Sequence, residues 1–267
     1  MAAPDTQRPG GAPGDPDARK FAFVAGAEGS GTTMLLRLLS FPRRCVSLGG
    51  NFIKYPPEAR GLVGTFDASN RQLWDRKLSF AGHQDGRERW HRAMEAILES
   101  PLFADATRFF FKRSFPFNMP RDQFAPDLWD VYDLWPDVQV IVIYRDPRAA
   151  AYSAFRRGFD TDIRRLAVVA SEQLTWLAGQ VRAVGRERVA VLSYSELCSD
   201  PLRVLGPVAA LCDLPFDEIR AGVEAEGLKT TADDRWSREL DAAHVAWLNE
   251  FFDTRRLRQW ELLTGGA

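Results

Sequence analysis

Residues 21–40 read FAFVAGAEGSGTTMLLRLLS, and the order of pieces in this stretch decides how the rest of the chain is read. Residues 21–25 form a short apolar run of the kind that makes a buried strand. Gly26, Gly29 and Gly31 punctuate the loop that follows, which ends in Thr32 and Thr33. Residues 34–39 (MLLRLL) then read as the first turns of a helix. A strand, a glycine loop and a helix N-terminus together make an anion cradle. Glycines let the backbone approach a phosphate, its N–H groups point inward, and the helix dipole favours negative charge.

Working outward, strands and helices alternate. Residues 45–48 read as a second strand. Residues 107–112 read as a third, delivering Lys112 at its C-terminal end. Residues 139–144 (QVIVIY) are the clearest buried strand, β-branched and uninterrupted, and end at Arg145. Residues 189–192 make a fifth strand, followed by Ser193 and Tyr194. Helices are expected over 87–99, from about Arg148, and over 163–181, 202–211, 216–225, 242–252 and 255–263. This pattern predicts a three-layer α/β domain: a mostly parallel sheet with helices on both faces and a helical C-terminal part. Residues 1–19 lack apolar periodicity and are expected to be a disordered tail, leaving 20–267 as one domain. Residues 51–100 read as an inserted region that shapes a substrate pocket. Its first part, 51–84, is broken by Pro56, Pro57, Gly61 and Gly64. In such a sheet the ligand crevice lies beyond the carboxyl ends of the strands. The glycine loop, Lys112, Arg145 and Tyr194 all fall there.

Composition narrows the function further. A chain of 267 residues suffices for one substantial core, and its formal net charge of −1 gives no electrostatic reason to expect nucleic-acid binding or membrane attraction. No apolar run approaches the ~18 residues of a bilayer span. No apolar leader core is visible, and Cys45, Cys198 and Cys212 are dispersed and odd in number, so a reducing, cytoplasmic setting is expected. His83, His91 and His244 are not spaced as metal ligands, and no metal is expected. With 30 arginines against 5 lysines, a single arginine says little and each lysine says more.

Gly26 and Gly31 stand at the spacing of a nucleotide P-loop, whose next residue should be lysine; here it is Thr32. A nucleoside triphosphatase also needs an acidic residue at a nearby strand end to hold magnesium. The strand 139–144 ends first in Arg145, which repels a metal but suits a phosphate dianion, with Asp146 one step late. The ligand should therefore be less charged than a triphosphate and be handled without Mg²⁺.

At this point the motifs resemble a known family. Residues 26–35 (GAEGSGTTML) resemble the 5′-phosphosulfate loop of sulfotransferases that use PAPS, 3′-phosphoadenosine 5′-phosphosulfate. Residues 142–157 (VIYRDPRAAAYSAFRR) resemble their 3′-phosphate motif. Residues 191–201 (VLSYSELCSDP) resemble the segment that follows the next strand, and 110–117 (FFKRSFPF) the lysine-bearing strand. The resemblance covers most of residues 21–216 in order and implies the P-loop NTPase-like sulfotransferase fold. It also implies a role for each matching residue. Gly29, Ser30, Gly31, Thr32 and Thr33 would cradle the 5′-phosphosulfate. Arg145, Ser153 and Arg157 would hold the 3′-phosphate, with Tyr194 near the nucleotide. Lys112 would neutralise the leaving group as sulfuryl passes to a hydroxyl or amine of a small-molecule or carbohydrate acceptor, releasing 3′,5′-ADP.

Two departures stand out. Many members carry Lys or Arg just before the Ser-Gly-Thr-Thr, where this chain has Gly29 preceded by Glu28. A histidine base lies two residues beyond the strand lysine in cytosolic members, and here that place is Ser114. Members with a glutamate base carry it just after the second strand, where this chain has Gly49-Gly50-Asn51. Glu58, Asp67, Asp75 and His83 remain as unranked bases, and Lys229 as a further candidate for the 3′-phosphate. The alternatives are a small-molecule P-loop kinase and a nucleotide-binding protein that has lost catalysis.

Overall fold

β1 (Lys20–Ala27) is buried from Phe21 to its end, which requires strands on both its edges and packed layers on both its faces. A computed structural model describes residues 19–48, 54–74, 80–115, 128–228 and 233–252. β1 lies between β3 (Arg108–Phe115) and β4 (Gln139–Tyr144), while β2 (Cys45–Ser47) and β5 (Val189–Ser193) close the edges. Every pairing is parallel, in the order β2-β3-β1-β4-β5.

The twofold alternation of strand side chains divides the core. Phe21, Phe23, Phe109, Phe111, Val140 and Val142 face one layer, covered by α2 (Arg60–Trp74), α3 (Phe80–Glu99), α4 (Leu128–Leu134) and the C-terminal half of α6 (Ile163–Val184). Ala22, Val24, Phe110, Ile141 and Ile143 face the other. There α1 (Thr32–Leu39), α7 (Tyr194–Ser199), α8 (Pro201–Leu211) and α9 (Phe216–Glu226) cover them. A third cluster joins α5 (Pro147–Arg156) and the start of α6 to Trp236 of α10 (Arg235–Glu239) and Leu248 of α11 (Ala242–Phe251). The three-layer parallel architecture expected from the sequence is the one observed.

Two elements differ from the sequence reading in ways that matter for the site. β3 runs on past Lys112 to Phe115, pairing Val24 with Lys112 and Gly26 with Ser114. Lys112 is therefore inside the strand, and Ser114 is the residue level with the start of the glycine loop. The irregular 51–84 stretch contains α2, which packs Val63, Phe66 and Leu73 inward. Its buried Asn70 Oδ1 accepts from Trp90 Nε1 at 3.2 Å, a polar contact that interrupts the apolar period yet joins α2 to α3. α3 in turn starts at Phe80 rather than at 87.

The expected tail over 1–18, Gly49-Gly50-Asn51, Asp75, Lys229 and the helix over 255–263 lie outside the described residues. Among those described, no helix is long and apolar enough to cross a membrane. All three cysteines are free and buried. Burial pushes the Cys45 and Cys212 thiols up to about 12, which leaves them unreactive at neutral pH.

Candidate active site

The glycine loop is shaped by its backbone. Ser30 N–H and Ser30 Oγ both donate to Ala27 O, at 3.1 and 2.6 Å, so the buried Ser30 hydroxyl braces the turn from inside. Gly29 (φ 84°) and Gly31 (φ 95°) occupy the left-handed region that disfavours any side chain. Space forbids one at Gly31, where a Cβ would come 2.3 Å from the Tyr194 ring, and is tight at Gly29, where one would come 3.0 Å from Ala150 O on α5.

Gly31 is the N-cap of α1 and offers no side-chain acceptor, while the helix's first closing bond runs from Leu35 N–H to Gly31 O at 3.0 Å. The first-turn N–H groups at Thr32, Thr33 and Met34 consequently have no intrahelical acceptor. Together with the helix dipole they form a site for an anion.

Beside this cradle lies a chain of polar groups. Thr32 Oγ1 and Ser114 Oγ are 2.7 Å apart, and Lys112 Nζ donates to Ser114 Oγ at 3.4 Å. Lys112 and Ser114 are two apart on β3, hence on one face, which brings the ammonium to the loop's threonine. Burial lowers the Lys112 pKa; Glu28 and Asp67 act to raise it, and Arg157 and Arg71 to lower it further. Arg113 is lowered chiefly by burial too, with Arg71 the next cause and the Asp67 and Glu28 charges opposing. Glu28, at the end of the loop's entry, lies 3.7 Å from Arg157 Nη1. The loop thus bears an anion at Glu28, whose charge acts on Lys112 and Arg113 and which lies beside Arg157.

Arg145, Asp146 and Pro147 each take a distinct part at the β4–α5 turn. Asp146 caps α5 by accepting from Arg148 N–H at 2.8 Å and also pairs with the Arg148 guanidinium at 2.6 Å; Pro147 opens the helix. Arg145 is left to point at the cradle. Its Nη1 donates to Gly29 O at 3.1 Å, its Nε donates to Asp233 Oδ1 at 2.6 Å, and its guanidinium carbon lies 4.4 Å from the Tyr194 ring centroid. Tyr194 therefore supports both the loop and the arginine. Burial is the main cause that pushes its hydroxyl up to about 12, with Cys198 adding to it and Arg145 opposing.

Ser153 is half-buried on α5, one turn after the Ala150 that touches Gly29. Arg157 Nε donates to Ser153 O at 3.3 Å. The glycine loop, Lys112, Arg145, Ser153, Arg157 and Tyr194 are thereby gathered at one end of the sheet. Of the acids named from sequence, Glu58 is exposed on a single turn (Pro57–Ala59). Asp67 is half-buried on α2 beside Phe66, whose ring meets Phe111 edge-on at 6.1 Å. His83 falls within α3. Asp233 escaped the sequence reading, which noted Ser114 only as standing where a histidine base would be. The strand's twofold period would have found Ser114, but nothing near Asp233 in the chain marks it.

Comparisons with known proteins agree with this architecture. The sequence profile of the sulfotransferase family matches residues 22–218, well over half of the chain. No curated protein sequence matches. Among solved structures, a sulfotransferase from Alicyclobacillus acidocaldarius is 19% identical with a TM-score of 0.54, the match covering 92% of this chain and 95% of that one. The sulfotransferase domain of a Synechococcus olefin synthase is 15% identical with a TM-score of 0.50, covering 92% and 98%. A mouse sulfotransferase complexed with PAP is 14% identical with a TM-score of 0.52, covering 94% and 90%. The fold is theirs, and the family match makes this chain a member of the sulfotransferase family of PAPS-dependent enzymes.

Proposed function

We propose that the protein transfers the sulfuryl group of PAPS to a hydroxyl or amine of a small-molecule or carbohydrate acceptor, leaving 3′,5′-ADP. The observation that carries this reading is the polar chain Thr32–Ser114–Lys112 set beside an uncapped helix N-terminus. PAPS supplies an activated sulfuryl group on a phosphate leaving group, so the protein's task is positioning and charge stabilisation. The residues present fit it. The N–H groups of the loop and of α1's first turn, with Thr32 and Thr33, suit the 5′-phosphosulfate. Arg145, Ser153 and Arg157 suit the 3′-phosphate, and Tyr194 walls the space between.

Lys112 stabilises the charge that grows on the bridging oxygen, and Ser114 orients its ammonium toward Thr32. Glu28 and, more weakly, Asp67 are the acids whose charge acts on Lys112; Asp67, half-buried on α2 and paired with Arg71 at 2.9 Å, is one of the bases named from sequence and is assigned to take the acceptor's proton. Asp67→Asn should lower kcat by about 10²–10⁴ while leaving 3′,5′-ADP affinity unchanged. A kinase is the weaker reading, because Asp146 is committed to capping α5 and to Arg148. Incubation with radiolabelled PAPS and a panel of phenols, alcohols, amines and sugars tests the proposal. Transfer of label to an acceptor supports it, and 3′,5′-ADP binding without any transfer favours a protein that has lost catalysis.

A further inference from the structure

Arg145 is engaged on several sides by the protein itself. Asp233 takes its Nε, Gly29 O takes its Nη1, and the Tyr194 ring covers a face. The ion pair is largely out of solvent, with 9% of the Arg145 side chain and 18% of Asp233 exposed. The backbone that presents Asp233 is well anchored. It leads into α10, where the Tyr152 hydroxyl and Arg156 Nη1 both donate to Glu239, and Arg148 lies 4.8 Å over the Trp236 ring. These contacts fasten α10 to α5, the helix that starts beside Arg145.

A guanidinium this buried needs a counter-charge. Asp233 supplies one unit, so the Arg145–Asp233 pair is neutral, whereas a phosphate monoester brings about −2. A carboxylate and a phosphate dianion cannot crowd the same guanidinium without strong repulsion. We propose that Asp233 is an internal stand-in for the nucleotide's 3′-phosphate, displaced from Arg145 when the nucleotide binds, and that it sets the site's affinity and its preference for 3′-phosphorylated nucleotides. This rests on the assignment of PAPS to the site. The existing ion pair must break before the ligand gains its own, so part of the attraction of Arg145 for the 3′-phosphate is cancelled. Removing the Asp233 charge takes away the carboxylate that competes for Arg145 Nε, so the phosphate gains that contact without breaking an ion pair.

The test is calorimetric titration of 3′,5′-ADP and of 5′-AMP, which lacks the group Arg145 would hold, into the wild type and Asp233→Asn, with thermal unfolding of each protein. The variant alone should melt lower than the wild type, bind 3′,5′-ADP about tenfold more tightly, and bind 5′-AMP within about twofold of the wild type. Asp233→Glu keeps the charge on a longer arm and should stay near wild type in melting and affinity. Weaker 3′,5′-ADP binding by Asp233→Asn would overturn the inference in favour of an orienting role. An equal gain for both nucleotides, or the same gain in Asp233→Glu, would overturn it as well. If neither wild type nor variant binds 3′,5′-ADP, the nucleotide reading itself is contradicted and this inference falls with it.

Discussion

Lys112 lies within β3 and Arg145 just past the end of β4, the two strands that flank β1, and the protein treats them in opposite ways. Lys112 is half-buried, its ammonium donates to the Ser114 hydroxyl, and burial lowers its pKa. Arg145 is buried against a carboxylate, a carbonyl and an aromatic ring. Charge follows the same division. Lys112, Arg113 and Arg157 outnumber Glu28 at the loop end, while Arg145 and Asp233 cancel at the other. A cation kept short of counter-charge in a low-dielectric place acts strongly on charge that develops in a reaction. A cation already paired is better suited to binding a fixed anion by exchange. The contrast matches the proposed roles, chemistry for Lys112 and recognition for Arg145.

The largest effect expected from breaking this contrast is on turnover. Lys112→Ala should lower kcat by about 10²–10³ and leave 3′,5′-ADP affinity nearly unchanged, as read from steady-state rates and calorimetry. Arg145→Ala should show the opposite split, with affinity falling about 10²-fold and kcat at saturation holding up. It should also destabilise the fold by about 3 kcal/mol in denaturant titration, because Asp233 is left as an unpaired carboxylate. Ser114→Ala removes the group between Lys112 and Thr32, and a roughly tenfold loss in kcat is expected, smaller than for the lysine itself. Tyr194→Phe keeps the ring that covers Arg145 and Gly31 and should change nucleotide affinity by less than about threefold.

The lowered Lys112 pKa sharpens the contrast through pH. Turnover needs the protonated amine, so the alkaline limb of the kcat profile should fall below the ordinary lysine value of 10.5. Stability runs the other way. The unfolded chain binds this proton more tightly than the folded one, so stability rises with pH between the lowered folded pKa and 10.5. Lys112→Met should abolish that rise while it abolishes turnover, which chemical denaturation at several alkaline pH values would reveal.

The sheet was legible because its strands are buried on both faces. Residues 140–144 and 21–25 form uninterrupted apolar runs, and a parallel sheet leaves them no other reading. α2 was not legible: Gly61 and Gly64 weaken helical propensity, and Asn70 occupies a core position where its amide pairs with Trp90. At the site, the loop and Arg145 could be placed because each follows a strand end, whereas Lys112, expected at one, lies inside β3. Ser114 was read as an empty place for a base, although the strand's period sets it on the face of Lys112. Glu28 looked anomalous beside the loop until β3 and α5 brought Lys112, Arg113 and Arg157 around it. Asp233 meets Arg145 across 88 residues of chain through the packing of α10 on α5, and local sequence holds no trace of such a contact.

The most direct test of the central claim is a competition in solution. The wild-type protein should be stabilised against heat by 3′,5′-ADP, and excess ATP with magnesium should neither reproduce nor displace that effect. Stabilisation by ATP with magnesium and none by 3′,5′-ADP would contradict the account.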